Sequence, residues 1–486
     1  MKNIVIMGAG PAGLTAGIEL QLKYQDIQVT IIDRTETVGG ISRTVEYQGN
    51  KLDIGGHRYF SMNEAVLQWW DSILPIQPSS SSTPANNNSA YMMVRPRSSH
   101  IYFNGQFIHY PLKIDRYLLK AVGPLRSVKI LLSYAHAQLS KRDVQSLEDY
   151  YINQFGHELY SIFFKGYTQK VCGVTPDLIS PDWGTQRVKG LSISELFKSI
   201  FDQHWHQNTA VAATMTDTFL FPPGGSGQLW ETAAKKFLQA GGKILFNCTP
   251  TKIRAAKKHI IGIECQQSGL SLHLPADVLI STIPLTQLFT LLPYAPPAPI
   301  LSAVTDLHYR DFILVGLLID KRKLTSLTEP ESLLIQDSWV YIQNEELRMS
   351  RIQIFNNWSP YMVKDSTNFI LLGVEFCCSK DDDWWQSDDE TIVEQCLFEL
   401  KQLNLFSGAT IDTTYVIREE KAYPCYHGAY RHLDSLHSYL RDSFDNLYCL
   451  GRNGEHRYLN IDQLMEHAFD LVHDISGVPD AITTYQ

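Results

Sequence analysis

Several things are missing from this 486-residue chain, and each absence narrows what it does. Its eight cysteines include no CxxC pair, and Cys377 and Cys378 are adjacent, which is poor geometry for bridging to each other. The thiols therefore read as reduced, with no disulfide framework. No His/Cys spacing suggests a metal site. The acidic run "DDDWW" at 381 to 385 resembles metal bait but reads more simply as a solvated helix start. No apolar run approaches the ~20 residues of a membrane helix; one of the longest is "FILVGLLI" at 312 to 319. No leader pattern opens the chain, because Lys2 runs straight into a strand. Charge is sparse at 19%, and a net charge of -9 argues against nucleic acid or an anionic membrane as the main partner. It leaves room for an anionic small molecule held by local arginines. There is no internal repeat. The expectation is a soluble, cytoplasmic protein of two or three domains, with 44% hydrophobic residues to build a large core.

What is present begins at once. "KNIVIM" reads as a buried strand, "GAGPAG" as a glycine turn, "LTAGIELQLKY" as a helix and "QVTIID" as a second strand. Gly8, Gly10 and Gly13 thus form G-x-G-x-x-G between strand and helix, around Ala12. Gly8 permits the turn, Gly10 lets backbone approach a pyrophosphate, and Gly13 lets the helix pack on the strand. Asp33 ends the second strand, where a carboxylate can accept from ribose hydroxyls, with Arg34 beside it. This fingerprint alone does not separate FAD from NAD. The segments that follow favour one bound FAD: Gly39-Gly40 with Arg43, then Gly55-Gly56, offer backbone that can lie against a flat ring. No second fingerprint appears for a separate dinucleotide domain.

Further along, "PSSSSTPANNNSA" (78–90) is polar and low in complexity, and reads as a mobile insertion. "IYFNGQFIHYPL" reads as a hairpin turning at Asn104-Gly105. Residues 113–205 read as mostly helical. "ADVLISTIPL" is another buried strand, β patterns fill 300 to 375, and helices are expected near 390 to 403.

Five segments together resemble one family: "VGGISRT", "DIGGHRYFS", "FFKGYTQKVCGVTP…ISPDWGTQRVKGLS", "HYRDFI" and "LGRNGEHRYLNIDQ". They are similar to the UDP-galactopyranose mutase-like branch of the flavoprotein superfamily that also holds protoporphyrinogen oxidases and amine oxidases. The resemblance implies an α/β fold, with a Rossmann-like FAD-binding domain (1–75, 215–300 and 430–486), a helical domain (113–205) and an antiparallel β-sheet substrate domain (91–112 and 301–429). It implies a nucleotide sugar as substrate and a reduced flavin, with NAD(P)H as a transient reductant. In the mutases flavin N5 attacks the anomeric carbon, the diphosphate leaves, and the ring recloses smaller with no net redox. The competing expectation is an FAD-dependent oxidase, dehydrogenase or desaturase. Oligomeric state is not indicated.

The resemblance also assigns candidates. Arg310 and Arg187 match arginines that contact the diphosphate, and planar forks suit that role. Arg310 is also readable as a surface strand arginine, and Arg187 as a salt-bridged helix arginine. Tyr423 matches a phenol that reaches the diphosphate, and Tyr458 lies near the substrate. Asn460 touches substrate or flavin, and His57 faces flavin N5. Gly451 and Arg452 lie at the ribityl-phosphate. Ile461, Asp462 and Gln463 form a helix N-terminus whose partial positive charge favours a reduced, anionic ring. Trp183 and Trp358 read as core. Two departures from the family pattern stand out. Pro250 occupies the position whose backbone N–H meets adenine, so either the register shifts or a contact is lost. Cys172 replaces a tryptophan.

Overall fold

The computed structural model describes residues 2–24, 26–77, 91–110, 112, 116–187, 218–324, 329–406 and 408–476. The expected insertion at 78–90 and the last part of the expected helical region, 188–205, lie outside the described residues.

The opening strand Lys2–Met7 is buried along most of its length because both faces are covered by apolar side chains. It is the centre of a five-stranded, wholly parallel sheet with Ile27–Ile32 and Lys243–Leu245 on one side and Val278–Ser281 and Leu447–Cys449 on the other. The sheet therefore draws on the start, middle and end of the chain. Helix Pro11–Lys23 crosses from the first strand to the second, with proline in its first turn and Gly10 as an N-cap that offers no side-chain oxygen. The closing helix Ile461–Ser476 packs against it, although some 440 residues separate them. Both helices bury apolar faces with Trp69, Trp70 and Trp230.

A seven-stranded sheet stands beside this layer. Its order is Ile411–Pro424, Tyr309–Asp320, Phe369–Cys378, Met349–Ile354, Trp339–Ile342, Ser99–Phe103, Gln106–His109. All pairings are antiparallel, as expected, except Trp339–Ile342 with Ser99–Phe103. The last two strands turn at Asn104 (φ 49°) and Gly105 (φ 72°), the left-handed pair that an Asn-Gly hairpin requires. The expected helical region holds helices that include Pro124–Leu139, Leu147–Phe155, Gly166–Cys172 and Asp182–Arg187. "DDDWW" starts a short helix, Asp383–Gln386, N-capped at Asp382. Among the described residues no side-chain cluster could hold a metal, and no helix is long and apolar enough to cross a membrane.

Candidate active site

Two of the three glycines in the turn after the first strand leave no room for a side chain. A Cβ on Gly8 (φ 113°) would lie 2.1 Å from Thr282 Oγ1, and one on Gly13 would lie 2.0 Å from the Gly8 carbonyl oxygen. The Gly39–Gly40 turn is tied to this first loop by Gly39 N–H donating to the Ala9 carbonyl at 2.9 Å. A Cβ on Gly40 would come 3.3 Å from Gly10 Cα. Between these loops lies a cavity of about 240 Å³, lined by Gly8, Gly10, Ala12, Asp33, Arg34, Gly40, Arg43, Gly451, Arg452 and Ile461 among others. Ten predicted residues from three stretches of sequence thus meet around one space. The free N–H groups of helix Pro11–Lys23 suit an anion at its end.

Asp33 is already busy. Its carboxylate accepts from Ala9 N at 2.8 Å, Thr35 N at 2.8 Å and Thr35 Oγ1 at 2.7 Å. Of roughly four lone-pair positions, one is left for a ribose hydroxyl. Arg43 lines the cavity but is engaged: Nη1 donates to the Gly40 carbonyl at 2.9 Å, and Nη2 pairs with Glu419 at 2.6 Å. It braces the glycine loop against the large sheet. Pro250 also lines the cavity, and the ladder slips by one residue between Pro250 and Lys252. Pro250 lies opposite Cys265 in that ladder.

A second cluster carries the aromatic candidates. The rings of Tyr423 and Tyr458 stack 5.7 Å apart at 18°. The Arg452 guanidinium carbon lies 4.6 Å from the Tyr458 ring centre and 5.6 Å from that of Tyr423. Its Nε and Nη2 both donate to the Leu459 carbonyl, at 3.2 and 2.9 Å. Burial pushes the Tyr423 phenol well up, so it stays a donor at neutral pH. His57 Nε2 donates to the Ile54 carbonyl at 2.8 Å. Burial, then the charges of Arg452 and Arg351, lower its pKa to about 4, so the imidazole is neutral and poorly suited to acid catalysis.

Other candidates stand apart from the cavity. Arg310 has all three nitrogens occupied: Nε on the Val171 carbonyl (3.1 Å), Nη2 on the Cys377 carbonyl (3.0 Å) and Nη1 on Ser379 Oγ (2.5 Å). It fastens helix Gly166–Cys172 to the sheet. Arg187 ends helix Asp182–Arg187, and its side chain lies outside the described residues. Asn460 is exposed; its backbone N–H donates to Gln463 Oε1 at 2.9 Å and its carbonyl accepts from Leu464 N, so the pair caps the closing helix. Trp183, edge-on to Tyr426 and Tyr458, and Trp358, stacked on Trp339, are core residues.

One pair escaped the sequence reading. Arg351 and Glu375 face each other across adjacent strands, with Arg351 Nε and Nη2 each 2.7 Å from Glu375 Oε2. The signal for it was a single glutamate in the otherwise apolar strand "FILLGVEFCC", since carboxylates are rarely buried without a partner.

A parallel sheet with a glycine-lined cradle at a helix end, completed by a distant C-terminal turn and helix, defines a dinucleotide-binding protein. The chain belongs to the flavin-containing amine oxidoreductases, whose family model matches residues 11–448. It is 29% identical over 181 residues to a probable UDP-galactopyranose mutase of Klebsiella pneumoniae, covering 36% of this chain and 42% of that one. It is 27% identical over 182 residues to a dTDP-fucopyranose mutase of Escherichia coli, covering 36% and 43%. The matches thus span under half the length of these relatives. The fold superposes on the crystal structure of a reduced UDP-galactopyranose mutase with a TM-score of 0.78 at 22% identity, over 99% of this chain and 97% of the other. The facing Gly10 and Gly40, with space that any Cβ would narrow, fit the close backbone approach a flavin dinucleotide demands.

Proposed function

We propose that this chain is an FAD-dependent mutase that interconverts the pyranose and furanose rings of a nucleotide-activated sugar. The observation that carries the reading is the Arg452–Tyr458–Tyr423 stack beside a neutral His57. It provides a cation and two phenols but no paired acid and base, which is what ring exchange with a leaving diphosphate asks for. Names of the curated relatives, mutases of UDP- and dTDP-sugars, agree. A bound, reduced flavin would supply the nucleophile for the anomeric carbon without net electron transfer, and NAD(P)H could prime it.

In this reading Gly8, Gly10, Ala12, Gly13, Asp33, Arg34, Gly39 and Gly40 hold the dinucleotide, with Gly451 and Ile461, Asp462 and Gln463 closing the ring end. Arg452, expected at the flavin's ribityl-phosphate, both lines the dinucleotide cavity and stacks on Tyr458, and in this reading it also takes the substrate's diphosphate. Tyr423 and Tyr458 orient the sugar through their hydroxyls. Arg310 would join them only by giving up its present partners. His57 acts through its position, not as a proton source.

The family description favours a second reading, an FAD-dependent oxidoreductase on another small molecule. One experiment separates the two. The purified protein is reduced with dithionite or NADPH, given UDP- and dTDP-hexoses, and assayed for furanose product. Turnover confined to oxidised flavin and oxygen, with peroxide release, would sink the mutase reading.

A further inference from the structure

Three polar groups converge on the open side of Gly55. A Cβ there would lie 3.7 Å from His57 Nε2, 3.7 Å from the Tyr423 hydroxyl and 3.8 Å from Arg351 Nη2, and its φ of 91° favours glycine. At Gly56 a Cβ would come 3.3 Å from Arg351 Nη1. The Arg351 guanidinium thus lies along the Gly55–Gly56 turn.

One edge of that guanidinium is fixed from behind. Glu375, only 3% exposed, takes Nε and Nη2 on one oxygen and Gln353 Nε2 on the other at 2.7 Å. Ser350 Oγ donates to the Glu375 carbonyl at 3.0 Å, and the Tyr341 ring lies 5.9 Å from the guanidinium carbon. Arg351 Nη1 and the Tyr423 hydroxyl have no hydrogen-bond partner among the described residues. Burying an ion pair is costly, and apolar side chains would stabilise the sheet as well. A costly pair with one donor edge left open toward a glycine turn has the form of a binding site.

Its charge indicates the ligand. Glu375 cancels Arg351, so the pair offers directed N–H donors with no net charge. Arg452 has no carboxylate within ion-pair distance among the described residues and keeps its charge for an anion. We propose that Arg351 Nη1 and the Tyr423 hydroxyl form a subsite for the neutral, polyhydroxylated part of the substrate, separate from the Arg452 position that takes its anionic part. This rests on the nucleotide-sugar reading above.

The test is calorimetric binding of UDP and UDP-galactose to the flavin-loaded protein, for the parent, Arg351→Met and Glu375→Gln. Arg351→Met should weaken UDP-galactose about tenfold and leave UDP within about threefold, the loss expected for one hydrogen bond from a charged donor. Equal losses for both ligands would place Arg351 on the diphosphate and overturn the subsite, as would no loss for either. If Arg351→Met does not retain flavin, Glu375→Gln decides. It leaves the guanidinium charge uncancelled, so UDP should tighten relative to UDP-galactose; an unchanged ratio overturns the proposal. A parent protein that binds neither ligand sinks the nucleotide-sugar reading itself, and the subsite with it.

Discussion

The Arg452 guanidinium carbon lies 4.6 Å from the centre of the Tyr458 ring, while the same side chain donates twice to the Leu459 carbonyl. A planar fork does both at once, and an ammonium cannot. Arg452→Lys should keep the charge, lose the stacking and one of the two bonds, and weaken UDP binding about tenfold, corresponding to ~1–2 kcal/mol. Calorimetry on the flavin-loaded protein checks it; unchanged affinity would remove Arg452 from the anion site.

Gly13→Ala tests the cradle. The added methyl would sit 2.0 Å from the Gly8 carbonyl, a rigid backbone atom, so the helix must move off the strand. The protein should purify with flavin content far below one per chain, read from the ratio of flavin to protein absorbance. A fully yellow variant would mean that the dinucleotide binds elsewhere.

Gly173→Ala tests the role of Arg310. Gly173 has a φ of 79°, and a Cβ there would lie 2.6 Å from Arg310 Nη1. Strain and displacement of the arginine should together cost about 1–3 kcal/mol, lowering the thermal midpoint by about one to three degrees in a chain of this length. If Arg310 were free to swing to a ligand at no cost, the loss would stay near the strain of the glycine alone, as in Gly269→Ala, where φ is 84° and nothing crowds the site.

Asp53 predicts a pH dependence. It is 2% exposed, and burial raises its pKa from 3.8 to about 6, against hydrogen bonds from Thr44 and Ser226. A raised carboxyl pKa means the fold prefers the protonated form. Its contribution is fully present below pH 3.8 and is lost as pH rises through about 6. The two-unit difference corresponds to about 3 kcal/mol. His57, lowered to about 4, works in the opposite sense over the same range. Comparing the parent with Asp53→Asn by denaturant unfolding between pH 4 and 7 isolates the aspartate: the parent should gain on the variant as pH falls. A constant difference would mean that Asp53 is ionised throughout.

Much of the cradle was legible beforehand because its requirements are local. A tight turn, a backbone approach and a helix start each select glycine or proline where they occur, and Gly8, Gly13 and the Asn104-Gly105 hairpin all took the expected conformations. The closing segment could be read the same way, since a polar stretch before a periodic run marks a helix start, and Ile461–Ser476 begins there.

What the arginines do was not legible. Arg43 and Arg310 look alike in sequence to Arg452, yet Glu419 and three partners including two carbonyls engage the first two. Arg351 meets Glu375 because the ladder slips one residue between Met349 and Arg351. A slip of one residue turns a strand's side chains to the other face of the sheet. The glycine turns and the helix ends follow from the residues that form them, because backbone conformation is governed locally. Which charges stay free follows from the packing, because a side chain's partner depends on the register of strands distant in the chain.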